Sequence, residues 1–325
     1  MQQDWQPSCS LELLRLRAEL LHDIRRFFHG RSVLEVETPL LGDCTGTDPQ
    51  LAFFSTEFCR TPLQQRLFLQ TSPEFAMKRL LAAGSGSIYQ ICKAFRNGES
   101  GRFHNPEFTL LEWYRVGFTL PQLMDEIEAL FAGLFNGYGL QAARRMSYQA
   151  VFQQHTGLDP LQFCHQDYCA YAVANGLPEA VGLCTDNHLL WLDFIFSHKV
   201  QPLLGDNALC MVYGYPACQS SLARISADNP DTVDRLELFI NGIELGNGFY
   251  ELTDADEQDR RFTKEIQVRQ EQSLAPVFKD QRLLAALAAG LPDCSGIAIG
   301  LDRLLMVLGH AKAISETLSF SIDRA

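Results

Sequence analysis

The sequence predicts an α+β fold, an antiparallel sheet flanked by helices. Three observations carry this: a helical apolar repeat near the N-terminus, two alternating strands between residues 88 and 116, and an Asn241-Gly242 hairpin turn between two further apolar strands. Taking the elements in order, Leu13, Leu16, Leu20, Ile24 and Phe27 recur at helical spacing, and Gly30 closes that helix. Val33 to Pro39 follows as a strand that proline stops. Ser72 stands where it would cap a helix beginning after Pro73. Ile88 to Arg96 alternates and puts Gln90, Cys92, Ala94 and Arg96 on one face. Phe108 to Val116 alternates likewise, with Phe108, Leu110, Glu112 and Tyr114 together, and an aromatic ring, a carboxylate and a phenol in one line are unusual for a core face. Leu123, Ile127, Leu130 and Leu134 mark an amphipathic helix ending near Gly137. Residues from about 140 to 205 read as a mostly helical insertion without nameable chemistry. Strands return at Leu236 to Ile240 and Ile243 to Leu252, and a last helix buries Leu301, Leu304, Leu305 and Leu308 while turning Arg303 the other way. The expectation is a single domain over residues 1–325, interrupted by that insertion.

Composition narrows the function. A chain of 325 residues that is 46% hydrophobic and 20% charged is long and apolar enough for a large core. Its net charge of −12 disfavours a broad face for phosphate backbone, though not a local basic groove. The start, Met1 to Pro7, has no basic run followed by an apolar stretch, and no apolar run reaches membrane-spanning length, so neither a signal peptide nor a membrane partner is expected. The ten cysteines never fall as Cys-x-x-Cys, and Cys164 and Cys169 have no zinc-type His cluster around them. Reduced thiols and a cytoplasmic setting follow.

Three clusters carry chemistry. The first runs Phe95-Arg96-Asn97-Gly98-Glu99 and then Arg102-Phe103-His104-Asn105-Pro106-Glu107-Phe108. Arg96 ends a strand, and a guanidinium there suits a phosphate oxygen because its planar fork donates bidentately; a solvated hairpin with salt bridges is the plainer reading. The second, Glu244-Leu245-Gly246-Asn247-Gly248-Phe249-Tyr250-Glu251, sets two carboxylates at odd spacing, which a straight strand would send to opposite faces. A bulge at the glycines would bring both to one side, where paired carboxylates suit Mg²⁺ beside phosphate oxygens. Otherwise they merely flank a glycine turn. In the third, Cys294 to Gly300 is a small-residue strand that admits a ligand close to the backbone, leading to Leu301-Asp302-Arg303. Neither a dinucleotide nor a Walker glycine pattern is present.

In this order the clusters resemble the catalytic domain of class II aminoacyl-tRNA synthetases, nearest to the lysyl enzymes. The helix and strand ending at Pro39 resemble the first motif of the class, Phe95-Arg96 through Glu112 and Tyr114 the second, and Gly300-Leu301-Asp302-Arg303 the third. Thr71-Ser72-Pro73-Glu74 with Met77-Lys78-Arg79-Leu80 resembles the amino-acid-binding segment. Lysyl-tRNA synthetases begin with an anticodon-binding β-barrel domain, whereas here the catalytic domain begins at about residue 11. That difference, with Pro216-Ala217-Cys218-Gln219-Ser220-Ser221-Leu222-Ala223 and Ala298, makes the chain similar to the freestanding elongation factor P (R)-β-lysine ligase family.

The resemblance implies ATP and Mg²⁺ as cosubstrate and cofactor, (R)-β-lysine as substrate, elongation factor P rather than tRNA as acceptor, and a homodimer. It implies Arg96 as the α-phosphate clamp and Arg303 as the γ-phosphate clamp, with adenine stacking on Phe108. Asn97, Gly98, His104, Asn105, Leu245 and Gly300 would lie beside the nucleotide, and Glu244 and Glu251 would be the magnesium carboxylates. Ser72, Pro73, Glu74, Glu112, Tyr114 and Glu251 would form the amino-acid pocket. One position departs: the family has Arg-Asn-Glu where this chain reads Arg96-Asn97-Gly98, with Glu99 next. A truncated synthetase that charges tRNA and a catalytically idle regulatory subunit remain the alternatives, the latter disfavoured by retention of Arg96, Glu244, Glu251 and Arg303 together.

Overall fold

The computed structural model describes residues 5–325; the first four positions of the Met1 to Pro7 segment lie outside the described residues. In chain order the elements are α1 (Leu11–His29), β1 (Leu34–Glu35), β2 (Leu41–Gly42), β3 (Ser55–Arg60), β4 (Leu63–Leu69), α2 (Glu74–Ala82), β5 (Ile88–Phe95), β6 (Glu107–Val116), α3 (Leu120–Leu134) and β7 (Gln141–Ser147). There follow α4 (Tyr148–Thr156), α5 (His165–Ala174), α6 (Ala180–Cys184), α7 (His188–Ile195), β8 (Ala208–Pro216), β9 (Thr232–Ile240), β10 (Ile243–Tyr250), α8 (Ala255–Glu271), α9 (Gln281–Gly290), β11 (Cys294–Gly300) and α10 (Leu301–Leu308). Helices on strands make this an α+β protein. The chain forms two compact units, one holding residues up to Phe118 together with Leu252–Ala325, the other Thr119–Glu251.

In the first unit β5, β6 and β11 form antiparallel neighbours, and β1 pairs with β5 in parallel. Strand alternation divides the two faces. Tyr89, Trp113 and Ile297 point to one side, where Phe28 of α1 stacks on Tyr89 at 4.5 Å and meets Trp113 edge-on at 5.3 Å. The other side carries Gln90, Glu112 and Ala298 in register, then Ile88, Tyr114 and Gly296, as the sequence alternation predicts. Ser10 caps α1 by accepting from the Leu13 backbone N–H at 3.2 Å. Gly30 ends α1 at φ −63°, an ordinary helical conformation, so the stop needs no left-handed glycine.

Two expectations are corrected here. The strand expected over Val33 to Pro39 pairs only at Leu34–Glu35, with one further bond from Val36 N–H to the Tyr89 carbonyl, because Pro39 has no N–H to continue the ladder. A small sheet ordered β2-β4-β3 was not expected; every residue of β3 is exposed, so it has no buried face to produce alternation.

In the second unit β7, β8, β9 and β10 are successive neighbours, with β7 parallel to β8 and the rest antiparallel. The β9–β10 hairpin turns at Asn241 (φ 51°) and Gly242 (φ 74°), both left-handed as a type I′ turn requires. The expected helical insertion over about 140–205 opens instead on β7, a mostly exposed edge strand of polar sequence, and turns helical only at Tyr148. From there α4 to α7 bury Tyr148, Phe152, Tyr168, Trp191 and Leu192 against Cys210, Val212, Tyr215, Val233 and Phe239 of β8 and β9.

Candidate active site

The first unit holds most of the expected site residues. On β6, Tyr114 donates from its hydroxyl to Glu112 Oε1 at 2.7 Å, and both side chains are buried. Opposite them on β11 stand Ala298 and Gly296, the smallest residues a strand can place there. Further along, Phe108 lies opposite Ala94, and the Arg96 guanidinium sits 5.1 Å above the Phe108 ring, within cation–π range. Arg96 follows β5 directly, and its backbone N–H donates to the Pro106 carbonyl at 2.9 Å, which extends the β5–β6 ladder by one rung. Its Nη1 is 3.7 Å from a Glu99 carboxylate oxygen, while its Nε is buried without a hydrogen-bond partner, so a donor faces the site with no protein acceptor.

Gly98 turns this loop at φ +81°, a conformation that a β-carbon would strain. The carboxylate in the loop is therefore that of Glu99, aimed at Arg96. Asn97 donates its backbone N–H to the Ala52 carbonyl at 3.0 Å. Arg303, on the first turn of α10 after Gly300, donates from Nε to the Phe103 carbonyl at 3.0 Å, and its Nη2 lies 2.7 Å from His104 Nε2. The loop before β6 and the helix after β11 thus fix each other. Asn105 is committed to backbone: its amide nitrogen donates to the Glu107 carbonyl at 2.6 Å and its oxygen accepts from Ile322 N–H at 3.3 Å. Ser72 accepts from the Glu74 backbone N–H at 3.2 Å, and Pro73 holds the cap position of α2. The Glu74 carboxylate pairs with Lys78, one turn on and almost fully buried, at 2.7 Å.

The second unit holds Glu244, Leu245 and Glu251. The β9–β10 register shifts between Glu244 and Gly246, which makes Leu245 the bulged residue and buries its side chain. With the shift, Glu244 lies opposite Phe239, Asn247 opposite Glu237 and Phe249 opposite Arg235, so the odd spacing becomes an even one and Glu251 falls on the face of Glu244.

The same face carries three residues that the sequence did not single out: Glu237, Asn247 and Phe249. Glu237 accepts from the Tyr215 hydroxyl at 2.6 Å and from Arg235 Nη2 at 2.5 Å. Arg235 in turn donates to Asn247 Oδ1 at 3.1 Å and to the Gln219 carbonyl at 2.9 Å. Burial pushes the Glu237 carboxyl above the usual carboxylate range; Arg235 opposes this and the nearby Glu244 charge adds to it. No sequence spacing links Glu237 to Glu244, since only the hairpin register makes them neighbours. The helical insertion also reaches this face, because Asp193 of α7 accepts from Gln219 Nε2 at 2.6 Å.

Carboxylates on one face of adjacent strands are hard oxygen donors of the kind Mg²⁺ takes, and the residues present fit that ion. Among the described residues no group of three or more His, Cys, Asp or Glu is gathered as a ready-made metal cage. No helix among them is long and apolar enough to cross a membrane.

These features, an arginine over an aromatic ring on one strand face and a second arginine after a small-residue strand, define an adenylate-forming synthetase domain. The chain belongs to the family of class II tRNA synthetases (D, K and N), whose model matches residues 4–324. Its relatives include the elongation factor P–(R)-beta-lysine ligase of Histophilus somni (strain 2336), 45% identical over 334 residues, covering 100% of this chain and 99% of that protein. The ligases of the same name from Mannheimia succiniciproducens and Haemophilus ducreyi are each 44% identical, covering 100% and 99% of this chain and 99% and 97% of their own.

Proposed function

We propose that this chain activates (R)-β-lysine with ATP and transfers it to a lysine side chain of elongation factor P. The observation that carries the reading is one face of β6, where Phe108, Glu112 and Tyr114 stand in line opposite Ala94, Ala298 and Gly296, with Arg96 over the ring. An aromatic plane for a base, a cation for a phosphate and a carboxylate for an ammonium group are what an amino-acid adenylate requires. The ligase name borne by relatives matching from end to end supports the choice of substrate and acceptor.

In this reading the amino-acid carboxylate attacks the α-phosphorus of ATP in line and displaces pyrophosphate, while Arg96 takes up charge developing on the phosphoryl oxygens. Phe108 holds the adenine, and Arg303, braced by the Phe103 carbonyl, meets the far end of the triphosphate. Glu112, oriented by Tyr114, binds an ammonium group of the lysine, with Glu74 as a further carboxylate of the pocket. Glu244 and Glu251 would hold magnesium, which when bound draws charge from the phosphates. The acceptor amine then displaces AMP; no side-chain nucleophile is required, because positioning supplies much of the rate.

The full chain incubated with ATP, Mg²⁺ and (R)-β-lysine is expected to add one β-lysyl mass to elongation factor P while leaving tRNA uncharged. Rapid charging of lysine tRNA with elongation factor P unmodified would overturn the assignment.

We further propose a cytoplasmic homodimer. All ten cysteines lack disulfide partners, which suits a reducing compartment. Leu34, Leu40 and Leu41 are 56%, 40% and 44% exposed around β1 and β2, apolar side chains of the kind an isologous interface covers. Such an interface should bury more than ~1,200 Å² in total. Light scattering should report twice the 36.5 kDa chain mass at micromolar concentration, and a monomer there would refute the dimer.

A further inference from the structure

In the second unit the helical segment builds an arrangement that adenylate chemistry does not use. His165 is the first residue of α5 and Cys169 lies one turn later on the same helix face. Cys169 Sγ is 3.2 Å from His165 Nε2, and the other ring nitrogen, Nδ1, is 3.3 Å from Asp186 Oδ1. Thiol, imidazole and carboxylate thus stand in the order nucleophile, base and orienting acid.

The rings around His165 and the backbone beside Asp186 are tied, while the Asp186 side chain itself stands 91% exposed. The ring of the buried Trp191 meets His165 edge-on at 6.2 Å, and Phe163 flanks it at 6.4 Å. The short loop carrying Asp186 is tied on both sides: Trp191 Nε1 donates to the Thr185 carbonyl at 2.8 Å, and Asn187 N–H donates to the Cys184 carbonyl at 2.9 Å. Asp186 opposite Nδ1 favours the tautomer protonated there, which leaves Nε2 as the acceptor for the thiol proton. Cys169 is partly exposed, so small reagents reach it.

We propose that Cys169 is a hydroperoxide-reactive thiol, a modification site in which His165 is the base and Asp186 the positioning residue. His165 Nε2 takes the thiol proton, and the sulfur attacks the terminal oxygen of the hydroperoxide. An S–O bond forms as the O–O bond breaks. The sulfur is oxidised by two electrons to a sulfenic acid, and the leaving alkoxide or hydroxide takes the proton from His165 and departs as alcohol or water.

The test treats the full-length protein with hydrogen peroxide in the presence of dimedone and maps the adducts by peptide mass. Cys59 is the internal reference, since it is the more exposed of the two and would be the faster on access alone. Cys169 is expected to be trapped at least ~10-fold faster than Cys59, the advantage a positioned base confers. His165→Asn should bring it down to the Cys59 rate. Asp186→Asn should lower it and Asp186→Glu restore it, a rescue that a purely structural role for Asp186 would not produce. Cys169→Ser should leave amino-acid-dependent pyrophosphate exchange unchanged. Trapping of Cys169 no faster than Cys59 in the unmodified protein overturns the proposal without recourse to any variant, and so does an undiminished rate in His165→Asn.

Discussion

Replacing Arg96 by alanine is expected to lower amino-acid-dependent pyrophosphate exchange by ~10²–10³, equivalent to ~3–4 kcal/mol of transition-state stabilisation. Charge grows on the α-phosphoryl oxygens as the carboxylate attacks, and a guanidinium already fixed in place costs no reorganisation at that moment. Arg96 is so fixed: its backbone closes a rung with Pro106, its side chain lies over Phe108, and its buried Nε donates to no protein acceptor. The fold should survive the change, because the pair with Glu99 is 3.7 Å long at a partly exposed position where such pairs contribute ~0–1 kcal/mol. Arg303→Ala should act differently, raising KM for ATP more than it lowers kcat, since a clamp on the leaving end binds ground and transition states more evenly. Full exchange activity in Arg96→Ala would remove the loop after β5 from the phosphate site.

The second large effect is on stability. Asp302 precedes Arg303 and is almost fully buried; it pairs with Arg17 of α1 and accepts the Thr109 backbone N–H of β6 at 2.6 Å. Arg17 also donates to the Thr317 carbonyl at 3.0 Å. One carboxylate thus ties α1, β6 and α10 in the first unit. Asp302→Ala strands a largely buried guanidinium and a buried N–H, and truncating one member of such a pair costs ~3–5 kcal/mol. Urea unfolding followed by tryptophan fluorescence should show that loss, and ATP affinity should fall with it as α10 loosens under Arg303. A change below ~1 kcal/mol would mean that Arg17 finds another acceptor or water, and that Asp302 is no anchor.

How far each feature could be read from the chain depended on whether its cause is local. Alternation between residues 88 and 116 determined which side of β5 and β6 faces α1 and which carries Glu112 and Tyr114, because a strand's side chains take opposite faces whatever it pairs with. The left-handed turn at Asn241-Gly242 and the glycines after Glu244 were likewise legible, since the turn and the bulge depend on residues within a few positions of each other. The order of arginines, aromatic and carboxylates along the chain was enough to point to an adenylate-forming synthetase.

The tertiary structure alone decided the rest. Which carboxylate neighbours Glu244 is a matter of register between β9 and β10, and Glu237 gained its place and its raised proton affinity from a pairing and a burial that no spacing records. Asn105 bonds to the backbone N–H of Ile322, a contact across more than two hundred residues that no local pattern records. β3 and β7 were missed since edge and solvent-exposed strands have no buried face to impose a pattern, and the polar α8 shows only a weak apolar stripe for the same reason. His165 and Cys169 stand at helical spacing in plain view, but Asp186 completes them only because α6 and α7 fold its loop back onto α5, a long-range closure set by packing around Trp191 rather than by any local run of residues.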